Sequence, residues 1–396
     1  MKFGVLKDIK IGEFRVIATP TEVDALVRDG HEVFVCTGAG EKAGFDDGEY
    51  EAAGAKIAPD NETIWMTCDF VAKVKEIEPS EYDLLREGQI IYTCIHPAAH
   101  REEVDALLAH KVIAFTAEDS HRYGSPNCEA AGKAGAFMGL WSMMSFNGGS
   151  GKFASGLAGA PVVRAIVCGA GVVGRAAVEV LVNMGCAVTV LDVSVGILRE
   201  ISSKYQGKIS TMFSNRYNLQ KILPETDLVI NSVRWPKNAS DYMITREMVA
   251  SMRRGSVIVD ISNDYGCIET FRETTHDDPI YIEEGVVHYC VSNIPGAIAG
   301  STSVSYAAAV LPHFQNIMNN GVAGACVKDG FLRRSLTAYK GYLTHEETSG
   351  IQRRPWIPPE KILGIENEAL DPAPKTTVTV SDNYYECMAS ILPTSV

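Results

Sequence analysis

Short runs of β-branched and apolar residues alternate with amphipathic stretches along the first third of the chain. The runs at 3–6, 31–36, 69–74, 90–95 and 112–116 have the apolar density of buried strands. Between them, the stretches at 21–29, 46–53 and 101–110 repeat apolar residues three and four apart, the spacing of a helix with one buried face. Because parallel strands need a helix-length crossover, this alternation predicts a parallel sheet with helices on both faces. A longer helical stretch at 128–144 ends at Asn147-Gly148-Gly149-Ser150-Gly151, a breaker cluster that reads as passage into another domain.

From residue 162 the alternation restarts. Strands are expected at 162–168, 187–191, 208–213, 227–233, 256–261 and 286–291, with a helix at 172–184. After Pro295-Gly296, a segment of small and apolar residues at 303–318 predicts another long helix, and the pattern is mixed up to about 359. The simplest topology has that helix return the chain to the first domain. The expected organisation is therefore a discontinuous first domain (1–127 and 300–360), a second domain at 128–299, and a C-terminal extension over 361–396. In the extension only one strand, at 376–380, is expected.

Composition agrees with this division, since 396 residues exceed what one hydrophobic core usually serves. A formal charge of −13 argues against nucleic acid or an anionic membrane as the main partner, because such surfaces select Lys/Arg patches. The densest basic pairs, such as Arg253-Arg254 and Arg333-Arg334, read as solvated charge. No uninterrupted apolar window of about 18 residues suggests a membrane span. The 10 cysteines show no C-x-x-C pair or zinc-type spacing and read as buried, reduced thiols. With a strand-like run at the amino terminus in place of a signal peptide, the expected compartment is the cytoplasm.

One motif carries specific chemistry. Gly169-Ala170-Gly171-Val172-Val173-Gly174 fits G-x-G-x-x-G, follows an expected strand and opens an expected helix. The next strand ends in Asp192, 23 positions after the first glycine. Gly169 permits the tight turn, Gly171 lets backbone approach a pyrophosphate, and Gly174 lets the helix pack against the sheet. The helix start, with Val172 and Val173, offers N–H groups to phosphate. Asp192 would accept from the ribose hydroxyls and repel a 2′-phosphate, which favours NAD over NADP. Both domains thus read as Rossmann-like, doubly wound α/β units.

Open α/β sheets bind ligands at the carboxyl ends of their strands. Lys75, His96 and Asp264 follow expected strands there, and Arg15 lies in the early loop Glu13-Phe14-Arg15-Val16. Singly, each is an ordinary surface charge, cap or turn residue. Together they suit one reaction: two cations for a carboxylate, a histidine that exchanges a proton near neutral pH, and an acid. His276 and His288 make no pair at metal-ligand spacing, and no metal is expected. The serine-glycine pairs lack the context of a nucleophile elbow.

From residue 1 to about 360 these segments resemble the alanine dehydrogenase family. The transhydrogenase nucleotide-binding subunit and carboxyethylornithine synthase are more distant relatives. The resemblance rests on Glu13-Phe14-Arg15-Val16, Val74-Lys75-Glu76, the glycine turn, Thr245-Arg246-Glu247-Met248, the segment from Gly255 to Asp260, and Val287-His288-Tyr289-Cys290. It implies two domains around a cleft and a homo-oligomer, often a hexamer. Arg15 and Lys75 would bind the substrate carboxylate, His96 would act as acid and base, and Asp264 would orient the amine. Ser214, Val233, Asn293 and Ile294, with Asp192, would line the NAD site, and Cys128 joins them.

The departures gather at the substrate. Asn127-Cys128-Glu129 stands where the family usually has Met-Ser-Glu, and Arg234-Trp235 replaces apolar residues near the expected nicotinamide. Tyr265-Gly266-Cys267 has one glycine fewer, and Pro97 follows His96. Asn127 and Arg234 are thus candidate substrate-binding residues. The leading expectation is an NAD-dependent L-amino-acid dehydrogenase producing a 2-oxo acid and ammonia. The alternatives are an opine-type dehydrogenase that takes its amine from a second amino acid, and a non-catalytic nucleotide-binding subunit.

Overall fold

The computed structural model describes residues 1–236 and 239–373, with the side chain of Asp264 also outside the description. The strand expected at 376–380 and Cys387 therefore lie outside the described residues. The described chain forms two compact units, residues 1–126 with the chain from 299 onward, and residues 127–298.

In the first unit, β1 (Lys2–Val5), β2 (Glu32–Cys36), β3 (Lys56–Ala58), β4 (Phe70–Ala72), β5 (Ile90–Thr93) and β6 (Ile113–Thr116) run parallel in the order 3-2-1-4-5-6. In the second, β7 (Arg164–Cys168), β8 (Ala187–Asp192), β9 (Ile209–Phe213), β10 (Leu228–Asn231) and β11 (Val257–Asp260) do the same. There β12 (Ile280–Glu283) is an antiparallel edge beside β13 (Val286–Tyr289). A returning hairpin, β14 (Leu336–Tyr339) and β15 (Tyr342–Leu343), adds antiparallel strands to the first sheet beside β6. Both sheets are doubly wound, as the alternation of patterns predicts.

The long helix runs over Ala299–Lys328, interrupted at Gly321, whose φ of 69° is not helical. By length and composition it could cross a membrane. Its seat is instead the core of the first unit, where the Phe314 ring lies 4.9 Å from Phe3 and 5.2 Å from Tyr92. The helix Pro126–Ser142 packs closely in the second unit because it presents glycines. A Cβ on Gly132 would come within 2.1 Å of the Val173 carbonyl oxygen.

Apart from the 11-residue helix Val195–Tyr205, the elements absent from the sequence reading are short. Neither three-residue β3 nor the 7-residue helix Asn61–Thr67 gives a period time to declare itself. The β14–β15 turn has positive φ at both Lys340 and Gly341, the geometry of a tight two-residue hairpin. Residues 361–373 are tied to the first unit, since Asp371 accepts from the Gly330 N–H at 2.8 Å and pairs with Arg122.

Candidate active site

Strand order reverses between β1 and β4 in the first unit, the point where loops diverge and leave room for a ligand. The chain after β1 carries Arg15, the chain after β4 carries Lys75, and the chain after β5 carries His96. Arg15 is buried and held by its neighbour two residues back. Its Nε donates to Glu13 at 2.7 Å, and its backbone N–H donates to the same oxygen at 2.8 Å. Burial opposes the guanidinium charge, but the adjoining Glu13 carboxylate outweighs it and raises the pKa of Arg15.

Lys75 is positioned through its backbone. Its N–H donates to Asp8 at 2.8 Å, and its carbonyl accepts from Thr93 Oγ1 at 2.5 Å. Asp8 also lies 4.0 Å from Lys73, a fully buried ammonium that donates to Glu81 at 2.6 Å. Burial disfavours the Lys73 charge, yet Asp8 and Glu81 keep it on by raising its pKa. The Lys75 ammonium lies 3.8 Å from Glu76, which also pairs with Lys10. Burial resists ionisation of Glu76, but these two lysines prevail and draw its pKa down to about 2.

His96 occupies the left-handed region at φ 49°, a conformation costly for a side chain with Cβ. Glu118 offsets that cost by accepting the His96 N–H at 2.6 Å, and it lies 3.3 Å from Nδ1. A carboxylate at Nδ1 favours the tautomer with hydrogen on that atom, leaving Nε2 to exchange a proton with a ligand. His96 is solvent-exposed.

The second unit supplies the nucleotide cradle. Gly169 has φ 88°, and a Cβ on Gly174 would fall 1.9 Å from the Gly169 carbonyl oxygen, so both positions require glycine. Gly171 faces open space and caps the helix Val172–Asn183 without a side-chain hydrogen bond. At the end of β8, Asp192 accepts from the Ala170 N–H and the Ser194 N–H, both at 2.8 Å. Ser214 lies just past β9, its hydroxyl buried with no hydrogen-bond partner among the described residues. An open helix start, a carboxylate beside it and an orphaned buried hydroxyl fit a dinucleotide. Val233 is buried past β10, and Asn293 and Ile294 are buried past β13, where the Asn293 carbonyl oxygen lies 2.9 Å from His276 Nε2.

The remaining candidates also belong to the second unit. Asn127 and Cys128 are half-buried in the first turn of the helix Pro126–Ser142. Arg234 is exposed, donates to the Tyr265 hydroxyl at 3.2 Å and lies over that ring. Asp264 falls in the turn Asn263–Tyr265.

Sequence reading missed the residues that hold the cations. Glu13 was detectable, since residues two apart in an extended segment share a face. Asp8, Glu118 and Glu81 gave no local signal. Asp119, His345 and Glu347 also bring ligand atoms within 4.8 Å of one another. The His345 ring is already engaged there, with Asp119 and Thr348 each at 2.8 Å.

Comparison with known proteins bears on both units. The family "Alanine dehydrogenase/PNT, N-terminal domain" matches residues 4–125, and "Alanine dehydrogenase/PNT, C-terminal domain" matches 136–346. The chain is 36% identical over 371 residues to an alanine dehydrogenase of Methanococcus maripaludis, covering 92% of this chain and 100% of that protein. It is 37% identical over 352 residues to one of Halomonas elongata, covering 87% and 95%. Among solved structures, an L-alanine dehydrogenase superposes with a TM-score of 0.83 at 33% identity, covering 89% of this chain and 99% of that one.

Proposed function

Because this chain belongs to the alanine dehydrogenase/PNT family, we propose that it is an NAD-dependent L-amino-acid dehydrogenase with alanine and pyruvate as its default pair. It is an oxidoreductase acting on CH–NH2 groups. The observation that carries the substrate assignment is the convergence of Arg15, Lys75 and His96 on one end of one sheet, at its switch point.

In amine formation, Arg15 and Lys75 hold the carboxylate of the 2-oxo acid. Arg15 contributes a planar fork and Lys75 a compact point charge, which together fix the acid's orientation. His96 Nε2 gives a proton to the departing hydroxyl of the carbinolamine and takes one back in the reverse direction. Asp264 orients the amine. Gly169, Gly171, Gly174, Val172 and Val173 receive the cofactor's pyrophosphate, Asp192 its ribose, and Ser214, Val233, Asn293, Ile294 and Cys128 its remainder. When bound, NAD would supply the acceptor for the hydride of the amino acid's α-carbon, and NADH the donor in the reverse direction. Asn127 and Arg234 add polar and cationic contacts to the substrate's side chain. The enzyme works as a homo-oligomer, a hexamer being the form often found in the family, in the reducing cytoplasm.

NADH oxidation followed by absorbance tests this reading. Turnover is expected with pyruvate and ammonium together and with neither alone. NADH binding without turnover would mean a non-catalytic subunit, and strict dependence on a second amino acid would mean an opine-type enzyme.

A further inference from the structure

His96 stands between two stretches of backbone that one short helix holds from its opposite ends. That helix, Glu346–Gln352, follows β15 in the first unit. At its start, the buried His345 caps it, with Nδ1 2.8 Å from Thr348 Oγ1 and 3.4 Å from the Thr348 N–H. His345 Nε2 lies 2.8 Å from Asp119 Oδ2. Burial opposes a charge on this ring, but Asp119 outweighs it, with Glu347 and Glu118 adding to the pull, and the pKa of His345 is raised. Whether the ring is neutral or charged, Nε2 carries the hydrogen that Asp119 accepts.

Asp119 closes the turn Ala117–Asp119, and the middle residue of that turn is Glu118, which accepts the His96 N–H. The turn is fixed from other sides as well. Arg334 Nε donates to the Asp119 carbonyl, and the Ser120 hydroxyl donates to the Ala117 carbonyl, both at 2.8 Å.

At the far end of the helix, Gln352 Nε2 donates to the Pro97 carbonyl at 2.6 Å. A carbonyl only accepts, so the amide nitrogen must face it. The amide oxygen of Gln352 is then buried with no hydrogen-bond partner among the described residues. An acceptor left in that state costs about 1–3 kcal/mol, which sets this contact apart from one kept for stability alone. The residue before a proline favours extended backbone, so the φ of 49° at His96 is held against that preference and against the general penalty on a Cβ. Such a conformation persists only where the backbone on both sides is fixed.

We propose that the helix Glu346–Gln352 positions the acid–base histidine, His345 setting Glu118 through Asp119 and Gln352 setting the carbonyl side of His96 through Pro97. The inference rests on the dehydrogenase reading, in which His96 Nε2 exchanges the proton. His345 and Gln352 are positioning residues, acting on where the imidazole stands. Arg15 and Lys75 have separate supports in Glu13 and Asp8, so loosening this helix should leave carboxylate binding as it is.

Two variants of the full chain test this. Gln352→Met keeps the length of the side chain and removes its donor, while His345→Asn keeps a cap for the helix but stops short of Asp119. In NADH oxidation with pyruvate and ammonium, each should lose about tenfold in kcat, with KM for pyruvate and NADH affinity within about twofold. In a His96→Ala background, Gln352→Met should cost less than about twofold further, since no imidazole is left to aim. Crystal structures of the two variants, which need no turnover, should show His96 out of the left-handed region and its N–H no longer on Glu118. The proposal is overturned if His96 keeps its backbone in both variants, or if Gln352→Met costs the same factor with and without the imidazole. It is equally overturned if KM and NADH affinity worsen in step with kcat. Absence of wild-type turnover alongside a displaced His96 in the variants would instead overturn the dehydrogenase reading.

Discussion

The two units use one strand order for two opposite tasks. Between β7 and β10 the second unit offers the proposed cofactor bare backbone, and its requirement is the absence of side chains, at Gly169 and Gly174 above all. Between β1 and β4 the first unit offers the proposed substrate side-chain cations. Its requirement is buried counter-charge: Glu13 for Arg15, and Asp8 and Glu81 for the lysine strand. A backbone site is written in one contiguous motif. A side-chain site is distributed over partners dozens of residues away.

That contrast can be attacked from either side. The largest effect is expected from Gly174→Ala, whose methyl group would collide with the Gly169 carbonyl at 1.9 Å. NADH binding followed by fluorescence should be lost, with the second unit destabilised by about 3 kcal/mol or more. Next, His96→Ala should lower turnover by roughly 10²–10⁴-fold, the usual share of a general acid–base, while NADH affinity stays within about twofold. A fall in NADH affinity to match would break the division of labour between the units.

Glu13→Gln strands a buried guanidinium. The folded state should lose about 3 kcal/mol in denaturant titrations, and pyruvate should stabilise the variant more than the wild type by acting as the missing counter-ion. Acid offers a parallel probe. Glu76 has its pKa lowered to about 2 from an ordinary value of 4.5, so its stabilisation is complete above 4.5 and lost as pH falls toward 2. This corresponds to roughly 2–3 kcal/mol confined to the first unit. Hydrogen exchange at pH 3 should therefore open peptides around residues 70–82 before those of β7 and β8. Uniform opening would show that the ion network adds nothing local. The smallest effect is expected from Asp192→Asn, about tenfold weaker NAD binding with a relative gain for NADP, read by titration with each cofactor.

The same contrast explains what the sequence made legible. The glycine turn, its helix and Asp192 lie within 24 residues and each has a fixed duty, so turn, cofactor class and fold could be read together. Arg15, Lys75 and His96 were visible as residues at strand ends. Their supports were not, because Asp8 meets Lys75 only once β1 lies beside β4, and Glu118 meets His96 only once β5 lies beside β6. The positive φ of His96 has no marker in its own neighbourhood beyond the following Pro97. Elements of three to seven residues escaped because a helix or strand period needs more length to show.

The return of the chain to its first sheet has a consequence for synthesis. Ala338 of β14 pairs with Ala114 of β6, so the ladder waits for on the order of 200 further residues. At roughly 5–20 residues per second, a ribosome takes tens of seconds to deliver them. During that interval residues 127–298 have emerged and can fold as a body of their own, while β6 presents an unpaired strand edge. The nascent protein is thus most vulnerable to aggregation after its nucleotide unit is finished and before its first unit is closed. A chaperone that shields strand edges would act in that window.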